Sequence, residues 1–362
     1  MELHGGNVHR IQREKNINLE NLYDYSANIN PLGVPERIKK LISDNLHLLE
    51  YYPDPDYQEL ISSIAEYNRI EEDRIIAGNG ASEMIYLFFR ALRPDSVLIV
   101  SPTFAEYEQA IDPTVTRIDH FELKENEGFE LNLPELKQQL STGKYRVVVV
   151  CNPNNPTGNF LKPDEVLEIL KICRKHNTIL FLDEAFIEFT DNGLADSAVR
   201  FLDQYENIFI LRALTKFFAI PGLRLGYGIT SNTEIRERII AAKDPWSINC
   251  LADLAGRELL REREYIRKSK EWISGERQYV FDLFASVEHL QIYQPQANFA
   301  LIKLLNDMSV SELKEKLLND KILIRDASNF PFLDDSYFRI AIRDRKSNEF
   351  VYKKIIERSL NG

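Results

Sequence analysis

Short apolar runs that alternate with amphipathic segments are the feature that most restricts the fold of this chain. Each run is nearly continuous, and the clearest are residues 97–101, 146–151, 179–182 and 207–211. Strands that are apolar on both faces and alternate with helices are typical of a parallel sheet covered by helices on both sides. We therefore predict an α/β fold with a mainly parallel, doubly covered sheet.

Helical periodicity fills the sequence between these runs. The best signalled helix covers residues 163–176, because Pro163 and two acidic residues begin it and basic residues end it. Other helices are predicted at residues 35–50, 57–67, 82–92 and 197–205, followed by a strongly helical, charged region that ends near residue 284.

Polar residues lie just after three of the predicted strands. They are residues 152–158, the pair Asp183 and Glu184, and the pair Thr215 and Lys216. Ligands bind at the carboxyl ends of strands in sheets of this kind. A carboxylate such as Asp183, at the end of an apolar strand, is unfavourable unless it faces a cation such as a protonated pyridine nitrogen.

Lys216 lies between two apolar segments, residues 207–211 and residues 224–230. Desolvation lowers the pKa of a lysine in such a place and makes its amine a nucleophile towards aldehydes. The alternative is a lysine in a surface loop, so the case for a reactive Lys216 depends on the other polar residues at the same sheet edge.

Glycine and asparagine are concentrated in two N-terminal segments, residues 4–7 and 26–33, and glycine recurs in residues 78–80 before a predicted helix. Glycine lets backbone amides approach an anion, and a helix N-terminus attracts phosphate. Capped turns and an ordinary helix start explain the same residues. Both interpretations are open.

The chain is predicted to divide into residues 1–45, an N-terminal arm that is part of a small domain, residues 46–244, a large domain, and residues 245–362, a small α/β domain. Arg325 and Arg339 stand at apolar, strand-like runs in the last part. An arginine there is either a clamp for an anionic ligand or an edge ion pair.

The charge balance limits the partners. Lys and Arg total 45 against 56 for Asp and Glu, which gives a net charge of −11 and disfavours nucleic acid. The three widely spaced cysteines indicate reduced thiols and a cytoplasmic location, and no apolar run approaches the length of a membrane span.

In order and spacing, residues 155–158, 183–186, 215–216 and 222–226 resemble the fold-type I aminotransferase superfamily, whose members depend on pyridoxal phosphate (PLP). The similarity runs essentially end to end and implies an aspartate aminotransferase-like fold. The most similar groups are the histidinol-phosphate aminotransferases and the threonine-phosphate decarboxylases of cobalamin synthesis. The N-terminal arm and residues 52–57 and 219–224 are most similar to the decarboxylases.

The resemblance implies a role for each matching residue. Lys216 binds PLP as a Schiff base, Asp183 pairs with the ring nitrogen, and Asn155 binds the ring oxygen while Phe104 stacks on the ring. The residues implied to hold the cofactor phosphate are Ala81, Ser82, Thr215, Arg224 and, from the other subunit of an obligate homodimer with shared active sites, Tyr52.

The implied substrate is a phosphorylated amino acid. Arg339 binds its α-carboxylate, Asn155 lies beside it, and the residues implied to surround the phosphoryl end are His4, Gly5, Asn28 and Arg325.

Two positions depart from the wider superfamily. Ala213 replaces a serine that contacts the cofactor phosphate, and Phe186 replaces a tyrosine of the aminotransferases, as in the decarboxylases.

We therefore predict that the enzyme decarboxylates O-phospho-L-threonine to (R)-1-aminopropan-2-ol O-phosphate. Transamination of histidinol phosphate is the alternative within the superfamily. A preference for O-phospho-L-serine is also open, because one methyl group discriminates by only about 1–3 kcal/mol. A ligand sensor on the same fold is disfavoured, since the short arm leaves no room for an attached DNA-binding domain. No metal ligand set is expected.

Overall fold

The computed structural model describes residues 5–15 and 22–360. His4, which the sequence assigns to the substrate site, lies outside the described residues. Within the described ranges, no helix has both the length and the apolar character needed to cross a membrane.

The described chain alternates between helices and strands. The helices are α1 (Val8–Lys15), α2 (Glu36–Asp44), α3 (Gln58–Asn68), α4 (Gly80–Leu92), α5 (Glu106–Gln109), α6 (Leu133–Leu140), α7 (Pro163–Lys175), α8 (Leu214–Phe217), α9 (Thr233–Ala242), α10 (Cys250–Leu259), α11 (Arg263–Ala285), α12 (Val310–Asn319) and α13 (Arg345–Leu360). The strands are β1 (Tyr23–Asp24), β2 (Ile75–Gly78), β3 (Ser96–Ser101), β4 (Arg117–Glu122), β5 (Val147–Cys151), β6 (Ile179–Asp183), β7 (Ile208–Ala213), β8 (Gly226–Ile229), β9 (Leu290–Ile292), β10 (Phe299–Leu304), β11 (Ile322–Leu323), β12 (Arg325–Asp326) and β13 (Tyr337–Ala341). Short 3₁₀ helices occur at Leu46–Glu50, Glu72–Arg74, Glu125–Glu127, Ile187–Phe189, Gly193–Asp196 and Ala198–Phe201.

The large sheet has the strand order β2-β8-β7-β6-β5-β3-β4. Its strands pair in parallel except that β8 runs antiparallel to both of its neighbours. The four apolar runs of the sequence form β3, β5, β6 and β7, in the centre of this sheet. The predicted α/β fold with a mainly parallel sheet is confirmed.

Alternate residues of β6 show that both faces of the sheet are covered. Leu180 and Leu182 enter the core that contains Val166 of α7. Phe181 points into the opposite core, where its ring centroid lies 4.8 Å from that of Phe88 of α4. The apolar character of the whole run follows, because neither face of the strand meets water.

A smaller antiparallel sheet has the strand order β12-β13-β10-β9. The N-terminal segment joins this part of the molecule, because β1 pairs in parallel with β11 and Ala341 N of β13 donates to Tyr25 O over 2.8 Å. This pairing supports the assignment of the arm to the small domain, and the proposed boundaries at residues 45 and 244 stay a prediction.

Three predicted elements were too long. The helix expected over residues 35–50 ends at Asp44, because Asn45 leaves helical geometry and its side chain donates to Leu41 O over 2.8 Å. The helix expected over residues 197–205 is only the 3₁₀ turn Ala198–Phe201, since Glu184 accepts from both Ser197 Oγ and Ala198 N and holds the segment against the sheet. The strand expected over residues 224–230 begins at Gly226, because Arg224 has a positive φ of 60°.

Candidate active site

A cavity of about 420 Å³ lies at the carboxyl ends of the central strands of the large sheet. Side chains from the small sheet, the arm and the start of α4 complete its wall. The predicted site residues that line it are Gly5, Asn28, Ala81, Ser82, Phe104, Asn155, Asp183, Thr215, Lys216, Arg224, Arg325 and Arg339. The structure therefore brings together residues that are far apart in the sequence.

Lys216 lies on α8, the single helical turn that follows β7. Desolvation in the cavity, together with the positive charges of Arg339 and Arg224, lowers the pKa of the Lys216 amine to about 8. A substantial fraction of the amine is therefore uncharged in mildly alkaline solution and can act as a nucleophile or a base. The alternative of a lysine in a surface loop is excluded.

Asp183 ends β6 and is held by two hydrogen bonds. Tyr107 Oη donates to Asp183 Oδ2 over 2.6 Å, and Ala185 N donates to Asp183 Oδ1 over 2.8 Å. Burial raises the pKa of Asp183 to about 6, although both hydrogen bonds act to lower it. The carboxylate is therefore ionised above pH 6 and presents a negative charge at the floor of the cavity.

The N-terminus of α4 meets the guanidinium of Arg224. A Cβ atom on Gly80, whose φ is +80°, would lie 2.8 Å from Arg224 Nη2, and one on Gly226 would lie 2.5 Å from Ala81 N. The positive φ favours glycine at position 80, and the approach of the Ala81 backbone requires glycine at position 226. Free amides and a positive dipole end beside a guanidinium form a suitable site for a phosphate group.

Arg325 and Arg339 are direct partners on the adjacent strands β12 and β13. Arg339 donates to Asn155 Oδ1 and, over 2.8 Å, to Ser26 O. Its Nε is buried without a hydrogen-bond partner. Burial and the charge of Arg325 lower the pKa of Arg339, so an anion in the cavity would stabilise its charged form.

Arg325 is oriented by its own neighbours. It donates to Asp326 O over 2.5 Å and to Asn329 Oδ1 over 2.7 Å, and its guanidinium lies 5.3 Å from the centroid of the Phe330 ring. The sequence left two interpretations for these arginines, and the structure places both in the cavity wall instead of at an exposed sheet edge.

The N-terminal arm reaches the cavity through tight packing. A Cβ atom on Gly5 would lie 2.1 Å from Ser26 O, and Gly6 N donates to Ser26 Oγ over 2.7 Å. Asn28 is buried, and its Oδ1 has no hydrogen-bond partner. These residues therefore add an unsatisfied acceptor to the wall, beyond the capped turn that the sequence offered as an alternative.

Tyr52 does not line the cavity of its own chain. Its side chain is 82% exposed, and its ring centroid lies 5.0 Å from that of Trp246. The role that the sequence assigned to Tyr52 therefore requires a second subunit.

Sequence reasoning missed several residues of the wall, chiefly Tyr107, Ser26, Cys151 and Phe330. The position of Tyr107 three residues after Phe104, on the short helix α5 that follows β3, is the one signal that could have identified it. Glu184 was grouped with Asp183 at a strand end, but it lies outside the cavity wall. Its carboxylate forms a buried ion pair with Arg212.

In residues 5–15 and 22–360, no group of three or more His, Cys, Asp or Glu residues could hold a metal ion.

The chain is similar to known proteins over most of its length. The family model "Aminotransferase class I and II" matches residues 20–355. A protein of Caldanaerobacter subterraneus subsp. tengcongensis that is provisionally named a threonine-phosphate decarboxylase is 39% identical over 335 residues, which cover 91% of this chain and 90% of the relative. The threonine-phosphate decarboxylase of Salmonella typhimurium is 36% identical over 346 residues, which cover 96% and 93%.

A solved structure shows the same architecture. The histidinol-phosphate aminotransferase from Clostridium acetobutylicum superposes with a TM-score of 0.87 at 36% sequence identity, over 94% of this chain and 100% of that chain.

Proposed function

Because this chain belongs to the class I and II aminotransferase family, we propose that it is a PLP-dependent decarboxylase. Its substrate is O-phospho-L-threonine, and its products are CO₂ and (R)-1-aminopropan-2-ol O-phosphate, a precursor of the cobalamin nucleotide loop. The identities of 39% and 36% to two relatives named threonine-phosphate decarboxylases support this choice.

The observation that carries the proposal is the pairing of Arg325 and Arg339 in one cavity with Lys216. Two buried guanidinium groups side by side repel each other unless anions lie between or beside them. A substrate with a carboxylate and a phosphate places one anion beside each arginine, and its amine then lies close to Lys216, where it would compete for the same aldehyde carbon. Phosphorylated amino acids have this set of groups.

Transamination of histidinol phosphate is the second candidate. The TM-score of 0.87 to a histidinol-phosphate aminotransferase is the observation that favours it. One feature supports the decarboxylase instead. Phe186 lines the cavity, packed at 5.0 Å against Phe299, and it has no hydroxyl group at the position where the resemblance places a tyrosine in the aminotransferases.

The cavity fits PLP as its cofactor. The close contact of Gly80 and Gly226 with Arg224 and Ala81 provides a phosphate site, and the ionised Asp183 provides a partner for a ring nitrogen. Ala81, Ser82, Thr215 and Arg224 would hold the phosphate, and Asn155 the ring oxygen. Phe104 would cover the ring, and Lys216 would bind the aldehyde carbon. When bound, the cofactor supplies an acceptor for the electron pair of the Cα bond that breaks.

Residues of the chain determine which bond breaks and supply the proton that completes the reaction. Arg325 binds the phosphoryl end together with Gly5, Asn28 and His4. Arg339 fixes the carboxylate, so the two anchors determine which Cα bond is aligned for cleavage. CO₂ leaves without the electron pair of its bond to Cα. The Lys216 ammonium then donates a proton to Cα, at the position that the carboxylate has left.

Product analysis tests the reaction directly. Phosphorus and proton NMR of the mixture should show one phosphomonoester product with a CH₂ group next to its amine, and no inorganic phosphate. Release of inorganic phosphate would identify an elimination reaction and contradict the proposal.

Replacement of Arg325 by alanine should weaken substrate binding more than the chemical step. We expect KM for phosphothreonine to rise roughly 30-fold or more, equivalent to about 2 kcal/mol, with a smaller change in kcat. Arg358→Ala is the control, because it also removes an arginine but from an ion pair with Asp320 on the surface of α13. A matching rise in KM in both variants would exclude a specific role for Arg325.

The active sites are proposed to be shared in a homodimer. The support is the exposed pair formed by Tyr52 and Trp246, because the Tyr52 side chain does not contribute to the cavity of its own chain. Lys216→Ala and Tyr52→Phe variants should both have low activity. When they are mixed and re-associated, hybrid dimers with one intact site should regain part of it. A fully active monomer in sedimentation would rule out sharing.

The three cysteines support a cytoplasmic location. All are free thiols, and Cys151 and Cys173 are buried in the core. Unpaired cysteines are typical of proteins in a reducing compartment.

A further inference from the structure

The hydroxyl group of Tyr107 lies at the floor of the cavity, 2.6 Å from Asp183 Oδ2. Tyr107 itself is fully buried, and no role was assigned to it from the sequence. Its ring packs edge-on against those of Phe104 and Phe181, with ring centroids 5.8 Å and 6.0 Å away. The hydroxyl group therefore has little freedom to leave the carboxylate.

Each oxygen of the Asp183 carboxylate accepts a hydrogen bond from a different part of the chain. Ala185 N donates to Oδ1 from the chain that follows β6, and Tyr107 donates to Oδ2 from α5. These two donors set the plane of the carboxylate as well as its position. A hydrogen bond to a charged acceptor is also one of the stronger kinds.

We propose that Tyr107 is a positioning residue for the reaction, whose hydroxyl group holds Asp183 ionised and in one orientation at the cavity floor. This inference rests on the proposed PLP-dependent function, because it concerns the carboxylate that would face the cofactor.

The charges around Asp183 agree with this role. The titratable groups that face it are Tyr107 from α5 and Cys151 from β5, and burial raises the pKa of both, so both stay protonated near neutral pH. Lys216 and Glu106 line the same cavity, and Glu184 turns its carboxylate to Ser197 and Arg212. Burial alone favours the protonated form of Asp183, and Tyr107 opposes this effect.

Tyr107→Phe in the full-length holoenzyme tests the inference. Loss of a hydrogen bond to a charged group should move the acidic limb of kcat/KM to higher pH by about one to two pH units. The pH titration of the visible absorbance of the bound cofactor, measured without substrate, should move in the same direction. The direction follows because Asp183 acts when ionised, and removal of a donor raises its pKa further.

Tyr145→Phe is the matched control. Tyr145 also donates to an aspartate, Asp119 Oδ2, over 2.8 Å, but it lies outside the cavity. The Tyr145→Phe substitution should lower the stability of the protein without moving either pH profile. Incorporation of 3-fluorotyrosine at position 107 keeps the hydroxyl group and makes it a stronger donor, so the acidic limb should move slightly to lower pH.

The inference is overturned if Tyr107→Phe behaves as Tyr145→Phe does, with a lower Tm and unchanged pH profiles, because Tyr107 would then only fill space. If Tyr107→Phe does not fold, the fluorotyrosine protein decides, and an unchanged profile in it also overturns the inference. The cofactor titration needs no substrate. The expected shift in this titration would therefore still be seen if the substrate assignment were wrong. If the protein bound no PLP, the wild type itself would show no cofactor absorbance to titrate.

Discussion

Lys216→Ala should abolish turnover, with a fall in decarboxylation on the order of 10³-fold or more. The variant loses both the amine that would bind the cofactor covalently and the group that donates a proton to Cα. In the wild type, borohydride should attach PLP irreversibly to the peptide that contains Lys216. Lys243→Ala is the control, since Lys243 is also a desolvated lysine with a lowered pKa but lies outside the cavity wall.

The pH dependence of cofactor attachment provides a second readout for Lys216. Its amine must be uncharged to react, and its pKa is lowered to about 8 by burial and by Arg339 and Arg224. The rate at which the apoprotein takes up PLP should therefore rise through pH 8 and level off above it. A rise that continues towards pH 10, or borohydride labelling of Lys243, would show that Lys216 is not the reactive lysine.

Asp183→Asn should have the second largest effect, a fall in kcat on the order of 10²-fold to 10³-fold. The amide keeps the size of the side chain but removes the negative charge that would stabilise a protonated ring nitrogen. In the wild type, activity should also decline as pH falls through about 6, because the pKa of Asp183 is raised to that value by burial and the ionised form is the active one.

Asp119→Asn is the control for this charge removal. Asp119 also accepts a hydrogen bond from a tyrosine, Tyr145, but it lies on the edge strand β4 and outside the cavity. The Asp119→Asn variant should retain nearly full activity. If Asp183→Asn also retained nearly full activity while binding PLP normally, the proposed electrostatic role of Asp183 would be wrong.

The central strands of the large sheet were predictable because their composition depends only on the burial of their own two faces. The residues of β5 and β6 are buried on both faces, so their sequences are apolar without interruption. Edge strand β4 was missed because it meets water and carries charged residues such as Arg117 and Asp119. The antiparallel direction of β8 was also not predictable, since a buried strand has the same composition in either direction.

The candidate site was predictable where polar residues interrupt apolar strands. Asp183 and Lys216 were identified because a charge at such a position needs a partner or a chemical use. Tyr107 and Ser26 were missed for opposite reasons. A buried tyrosine resembles any aromatic core residue in sequence, and Ser26 acts on Arg339 through its backbone carbonyl, which leaves no trace in the side-chain pattern.

One experiment separates the two reactions that the fold supports. The purified holoenzyme is incubated separately with O-phospho-L-threonine, with O-phospho-L-serine, and with histidinol phosphate plus 2-oxoglutarate, and CO₂ and glutamate are measured in each. We expect one CO₂ per phosphothreonine consumed, without a keto acid, and no glutamate from histidinol phosphate. Glutamate from histidinol phosphate, with no CO₂ from either phosphoamino acid, would contradict it and identify an aminotransferase.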